Sequence, residues 1–153
     1  MTTLDLKDQI LKKIFPETLF TPDEIQKSYP PRFLPAEAMV TRFAPSPTGF
    51  LHIGGVYTAL ISERFAHQTG GVFYLRIEDT DKKREIPGTA ALITSSLVRY
   101  GIKIDEGETQ SGLEIGSYGP YKQSARVAIY KVYIKFLIER GLAYPCFCTH
   151  EVL

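Results

Sequence analysis

The sequence carries almost no net charge, only two cysteines and no long apolar run. Lys and Arg number 18 against 17 Asp and Glu, a formal net charge of +1. That excludes a domain that binds nucleic acid through overall basicity; any such site must be a local patch or lie outside this chain. Cys146 and Cys148 sit one residue apart. They are poorly placed to bridge to each other and too few for a disulfide framework, so a reducing, cytoplasmic compartment is expected. No apolar stretch approaches the roughly 20 residues that span a bilayer. The start Met1-Thr2-Thr3-Leu4-Asp5 has no basic stretch followed by an apolar one, so no signal peptide is expected. There is neither a P-loop nor a G-x-G-x-x-G loop, no internal repeat and no low-complexity tract.

What is present is ordinary in bulk. The 153 residues, 44% hydrophobic and 23% charged, match one average soluble globular domain. Disordered, collagen-like and coiled-coil identities are excluded on those grounds.

The chain punctuates itself clearly. Leu6, Ile10, Leu11 and Ile14 have helical spacing, which predicts a short amphipathic helix from Leu4 to Phe15, stopped by Pro16. Thr21-Pro22-Asp23-Glu24 reads as a helix start, with Thr21 as cap, Pro22 at the first helical position and Glu24 completing a capping box. Pro30, Pro31 and Pro35 predict an extended linker. From Val40 onward the pattern is strand, loop, helix, strand, helix. Val40–Phe43 is a short strand, 44–49 an irregular loop, and 53–68 a helix with Ile53, Val56, Tyr57, Leu60, Ile61 and Phe65 on a broad apolar face. Gly70 supplies a left-handed cap. The β-branched and aromatic run 72–77 is a buried strand, followed by a helix over 89–100 ended by Gly101. Strand, crossover helix, strand implies a parallel sheet and an α/β layer. The stretch Gly107–Gly119 reads as a long loop, 124–140 as a further helix and 143–148 as extended chain, with Thr149 positioned to cap another helix.

The loop between the first strand and its helix is the first place to seek chemistry, because ligands of open α/β sheets bind beyond the carboxyl ends of the strands. A helix N-terminus attracts phosphate through its free N–H groups and dipole. Gly54 and Gly55 permit close approach to the backbone, and His52 can donate a hydrogen bond there. The alternative is a plain strand–helix connection with a histidine cap. Glu78 ends the neighbouring strand and can face the same crevice as Arg42, which otherwise reads as a solvated arginine at a strand end.

Arg42-Phe43-Ala44-Pro45-Ser46-Pro47-Thr48-Gly49, followed by His52-Ile53-Gly54-Gly55, resembles the signature of the glutamyl-tRNA synthetases, a family of class I aminoacyl-tRNA synthetases. The resemblance continues through Leu75-Arg76-Ile77-Glu78-Asp79-Thr80-Asp81, Gly119-Pro120-Tyr121-Lys122-Gln123-Ser124 and Tyr144-Pro145-Cys146-Phe147-Cys148, so it covers about residues 40–153. The resemblance implies the first half of a Rossmann-like parallel-sheet nucleotide-binding fold, preceded by a short helical extension. It divides the chain into an extension and linker over 1–38, the half-fold over 39–123, and the start of an inserted acceptor-binding domain over 124–153. The chain then reads as the N-terminal fragment of a longer enzyme, inactive by itself.

Residue by residue, the resemblance implies that Arg42, Ala44, Ser46 and Glu78 bind glutamate. Pro45, Thr48, His52, Gly54 and Gly55 bind ATP, and His52, Gly54 and Gly55 carry the activation step. The implied substrates are ATP with Mg²⁺, glutamate and tRNA(Glu), acted on by a cytoplasmic monomer away from membranes. Cys146 and Cys148 resemble the first half of a zinc knuckle found in some members, with His150 nearby; two buried or reduced free thiols are the other reading. Glu78, Asp79 and Asp81 could hold Mg²⁺ with phosphates, or Asp79 and Asp81 could orient neighbouring loops, with Lys82, Lys83 and Arg84 as charge partners or tRNA contacts. Gly55 stands where most class I enzymes have a histidine, and Val56-Tyr57 where many members have a basic residue. A paralogue that glutamylates a queuosine-containing tRNA(Asp), or a non-catalytic fragment binding ATP or glutamate, would share these early motifs.

Overall fold

The computed structural model describes residues 3–16, 20–149 and 151–152. The chain divides into two compact units, Pro31–Arg126 and a second formed by Met1–Pro30 with Val127–Leu153.

In the first of these, β1 (Val40–Phe43) and β2 (Val72–Leu75) pair in parallel, in the register Val40↔Val72 to Phe43↔Leu75. They are joined by α3 (Ile53–Gln68), which packs on both strands. The expected α/β crossover is therefore present. The turn into β2 is tight. Gly71 lies so close to the first strand that a Cβ there would stand 1.9 Å from the Met39 carbonyl oxygen, and Gly70 adopts the left-handed conformation (φ 69°).

On its other side β2 meets two short bridging segments. Leu75 N–H donates to the Glu106 carbonyl (2.9 Å), Ile77 N–H to the Tyr121 carbonyl (2.9 Å), and Gln123 N–H to the Ile77 carbonyl (2.9 Å). Phe73, Leu75 and Ile77 are thereby buried with Phe43, Val56, Ala59 and Ala66, and with Ile93 and Leu97 of α4 (Thr89–Arg99). Each large aliphatic or aromatic side chain in this core contributes about 1.5–3 kcal/mol.

Two sequence expectations change. The inner face of α3 is Val56, Ala59, Glu63 and Ala66, whereas Ile53, Tyr57, Ile61 and Phe65 are exposed. Small residues allow close packing of helix on sheet. Glu63 is buried because His67 stands over it, Nδ1 3.0 Å from Glu63 Oε1, with its Nε2 2.7 Å from Asp105 Oδ2. The stretch from Gly107 is not all loop: β3 (Gly107–Glu108) and β4 (Glu114–Ile115) form a small antiparallel hairpin. Its turn is closed by Thr109 N–H to the Leu113 carbonyl (2.7 Å) and by Gly112 at φ 81°. Strands of two residues leave no alternating pattern to read.

The proline-rich linker is anchored. Arg32 forms a two-pronged ion pair with Glu106, its Nη2 at 2.6 Å from Oε2, and its guanidinium lies 3.7 Å from the centre of the Tyr118 ring. Tyr121 donates its hydroxyl to the same Glu106 (2.7 Å).

In the other unit, α1 (Thr3–Ile14) and α2 (Pro22–Ser28) precede α5 (Val127–Glu139), and α2 packs on α5. The capping box at Thr21 forms as read: Glu24 N–H donates to Thr21 Oγ1 (3.3 Å) and Thr21 N–H to Glu24 Oε2 (2.7 Å). The predicted helix over 124–140 begins as a 3₁₀ turn, Ser124–Arg126, before α5. No helix among the described residues is long and apolar enough to cross a membrane.

Candidate functional site

The 44–52 loop is held from two sides. Glu78 N–H donates to the Pro45 carbonyl and Ile86 N–H to the Pro47 carbonyl, each at 2.9 Å. Two prolines limit the loop's unfolded conformations, and Pro47 is itself buried. The loop borders a cavity of about 430 Å³ lined by Pro45, Ser46, Thr48, His52 and Gly55, with Ile93 of α4 beneath. His52 is the N-cap of α3 through its backbone: its carbonyl accepts from Gly55 and Val56 N–H (2.9 and 3.2 Å). Its imidazole makes no cap hydrogen bond, so the ring is available at the start of a 16-residue helix whose dipole favours an anion.

Arg42 and Glu78 stand beside this cavity rather than in its lining. Arg42 Nη1 is 3.7 Å from Glu78 Oε1, and Glu78 is tied to the cavity rim through its bond to Pro45. Ala44 and Gly54 also lie outside the lining. A Cβ on Gly54 would come within 3.0 Å of the His52 ring, so this glycine sets where the imidazole sits.

The carboxylates after β2 play different parts. Asp79 is buried, with Ser124 N–H (2.8 Å) on one oxygen and Ser124 Oγ (2.6 Å) and Lys82 Nζ (2.9 Å) on the other. Burial alone would raise its pKa; the Ser124 and Lys82 bonds outweigh that and bring it down to about 2. Asp81 pairs with Arg84 at 2.6 Å, which lowers its pKa as well. Both are thus loop-ordering groups with their oxygens engaged, and no group of three or more His, Cys, Asp or Glu among the described residues is placed to hold a metal.

Cys146 and Cys148 are both exposed, which removes the buried-thiol reading. Hydrogen bonds from Cys148 pull the Cys146 thiol below the ordinary range. Structural zinc requires four ligands; the described residues supply two, and His150 lies outside them.

Sequence reading missed Arg76, whose Nη2 lies 3.3 Å from Glu78 Oε1. The signal was there: residues two apart on a strand share a face. A larger cleft of about 680 Å³ opens between α4 and the β3–β4 hairpin, walled by Val98, Ile102, Ile104 and Ile115. It holds none of the expected site residues, so the smaller cavity is the candidate site.

Comparison with known proteins fits this geometry. Residues 38–153 match the family described as tRNA synthetases class I (E and Q), catalytic domain. The chain is 51% identical over 146 residues to a protein named glutamate--tRNA ligase from Clostridium perfringens (strain 13 / Type A), covering 95% of this chain and 27% of that protein. It is 52% identical over 112 residues to the glutamate--tRNA ligase of Bacillus subtilis, covering 73% and 22% respectively. Among solved structures, glutamate-tRNA synthetase from Elizabethkingia anophelis superposes with a TM-score of 0.68 at 45% identity, covering 74% of this chain and 22% of that one. The chain spans roughly a quarter of the length of the curated relatives it matches.

Proposed function

The chain belongs to the catalytic-domain family of class I tRNA synthetases (E and Q), and from that premise we propose that it supplies the amino-acid and nucleotide subsites of a glutamate--tRNA ligase. The observation that carries the reading is the Arg42–Glu78 pair, 3.7 Å apart, beside a cavity lined by Ser46, Thr48 and His52. One cation and one anion side by side suit an amino acid whose side chain is a carboxylate and whose α-amino group is an ammonium.

In this proposal the Arg42 guanidinium binds the γ-carboxylate, a task suited to its planar, permanently charged fork. Glu78 accepts from the α-ammonium, and Ala44 and Ser46 complete the glutamate contacts. Pro45, Thr48, His52, Gly54 and Gly55 receive ATP at the N-terminus of α3, where the dipole and backbone N–H groups favour phosphate. Magnesium bound to ATP would supply neutralisation of the phosphate charge there. The α-carboxylate oxygen of glutamate then attacks the α-phosphorus. A new P–O bond forms as the bond to the β-phosphate oxygen breaks and pyrophosphate leaves. In the second step a terminal ribose hydroxyl of tRNA(Glu) attacks the anhydride carbonyl, forming the ester and releasing AMP. The chain's contribution is alignment and charge stabilisation, without a covalent enzyme intermediate.

Lys82 and Arg84 are engaged with Asp79, Glu85 and Asp81, so exposed Lys83 is the better candidate for a tRNA phosphate contact. The 1–38 extension, the 39–123 half-fold and the 124–153 start of an acceptor-binding region are proposed as functional divisions of a cytoplasmic, monomeric ligase.

The test is glutamate-dependent ATP–pyrophosphate exchange by the complete gene product in the presence of tRNA(Glu). Arg42→Ala should raise the glutamate KM at least tenfold, about 1.4 kcal/mol of lost binding, with little change in ATP KM. Failure of the wild-type protein to use glutamate would sink the reading. The 153-residue chain alone should not aminoacylate tRNA.

A further inference from the structure

We infer that Arg76 is the resident partner of Glu78, a positioning residue that holds this carboxylate toward the ligand ammonium when Arg42 turns to the substrate. The inference rests on the ligase reading above and adds a residue to it.

The backbone fixes the relationship first. Arg76 N–H donates to the Phe43 carbonyl (3.0 Å) and Glu78 N–H to the Pro45 carbonyl (2.9 Å), while Ile77 between them bonds in the opposite direction, to Tyr121 and Gln123. Residues 76 and 78 are therefore pinned to the β1 side, and period-two geometry puts their side chains on one face.

The two arginines meet Glu78 unequally. Arg76 Nη2 lies 3.3 Å from Oε1, within hydrogen-bond distance, and its side chain is 16% exposed. Arg42 Nη1 lies 3.7 Å from the same oxygen, and its side chain is 39% exposed. Both cations approach Oε1, which leaves Oε2 to accept from an ammonium. Glu78 is the one anion paired with Arg76 among the described residues, and Arg76 Nε is buried without a hydrogen-bond partner among them.

The consequence is a division of labour. A substrate carboxylate that recruits the more exposed Arg42 would otherwise strip Glu78 of its counter-charge and free its rotamer. With Arg76 in place, Glu78 keeps one ordered, charge-assisted hydrogen bond. Arg76 touches no reacting atom in this scheme; it acts through Glu78.

The experiment measures pyrophosphate exchange by the complete gene product, wild type and with Arg76→Gln, Arg76→Lys, Glu78→Gln and the Arg76→Gln/Glu78→Gln pair. Far-UV circular dichroism checks that each is folded. Arg76→Gln should raise glutamate KM by about tenfold while ATP KM stays within about twofold, and Arg76→Lys should recover most of that loss. In the Glu78→Gln background, Arg76→Gln should add less than about threefold. A glutamate KM that moves less than about twofold in Arg76→Gln, or an equal fold effect in both backgrounds, overturns the inference alone. If Arg76→Gln does not fold, the charge-preserving Arg76→Lys decides: near-normal glutamate KM supports the inference, and a shift in ATP KM equal to that in glutamate KM overturns it. A wild-type protein that does not use glutamate overturns both this inference and the ligase reading.

Discussion

Asp79 takes two hydrogen bonds from one residue, Ser124, 2.8 Å from its amide and 2.6 Å from its hydroxyl. The pair ties the segment after β2 to the 3₁₀ turn Ser124–Arg126, one residue from Glu78. Because the folded state holds the Asp79 pKa at about 2, below its ordinary 3.8, the native state binds this proton more weakly than the unfolded chain does. The stabilisation is therefore present above pH 3.8 and lost as pH falls through about 2. At 1.36 kcal/mol per unit it amounts to about 2 kcal/mol at neutral pH. Urea unfolding of wild type and Ser124→Ala at pH 7 and pH 2.5 should show the two converging at the lower pH. A constant gap across that range would refute the clamp.

The Arg32–Glu106–Tyr121 cluster gives a second prediction. Glu106 is 9% exposed, and its pKa is lowered first by the Arg32 bond. Arg32→Ala would leave a nearly buried carboxylate without its cation, at a cost of about 2–4 kcal/mol. Tyr121→Phe, which removes a neutral hydroxyl, should cost about 1 kcal/mol. Equal costs for the two in denaturant titrations would contradict this ranking.

The same cluster predicts an alkaline signature. Burial, then the bond to Glu106, push the Tyr121 phenol up to about 12. A raised pKa contributes stability below the ordinary value of 10.0 and loses it as pH rises toward 12. Tyrosinate absorbance should show one of the nine tyrosines titrating late, and Tyr121→Phe should delete that component.

What the sequence reveals here is local. Gly70, the Thr21 capping box and the β1–α3–β2 alternation are short-range patterns, and all three appear as read. The Arg42–Glu78 meeting was legible because Arg42 lies near the carboxyl end of β1 and Glu78 just beyond that of the adjacent parallel strand β2. The inner face of α3 was not: an apolar count favours Ile53 and Phe65, yet close packing on the sheet selects Ala59 and Ala66. Arg32 reaching Glu106 across 74 positions leaves no trace in spacing. Neither does the role of Ser124, since it depends on where the chain returns to the edge of β2.

Two glycines separate structure from chemistry. Gly71→Ala would drive a Cβ to 1.9 Å from the Met39 carbonyl, a backbone clash no rotamer relieves. It should destabilise the sheet by more than about 3 kcal/mol, read as a large fall in Tm or loss of soluble protein. Gly54→Ala meets only the His52 ring, at 3.0 Å, and replaces a glycine in the first turn of a helix. It should leave stability unchanged or raise it by up to about 1 kcal/mol, while displacing the imidazole and slowing pyrophosphate exchange. Unaltered exchange would separate Gly54 from the site.

His52 provides the sharpest separation of folding from function. Its backbone carbonyl starts α3, but its side chain makes no capping bond. Removing the imidazole therefore costs the helix almost nothing, and His52→Ala should change unfolding free energy by less than about 0.5 kcal/mol. If the ring instead donates to phosphate as charge builds in the transition state, the loss falls on the chemical step. Removing one such donor typically lowers kcat by about 100- to 1000-fold. Glutamate KM should stay near wild type, because Arg42 and Glu78 are untouched. An unchanged kcat would remove His52 from the phosphate site, and a large drop in Tm would mean that its ring serves the fold.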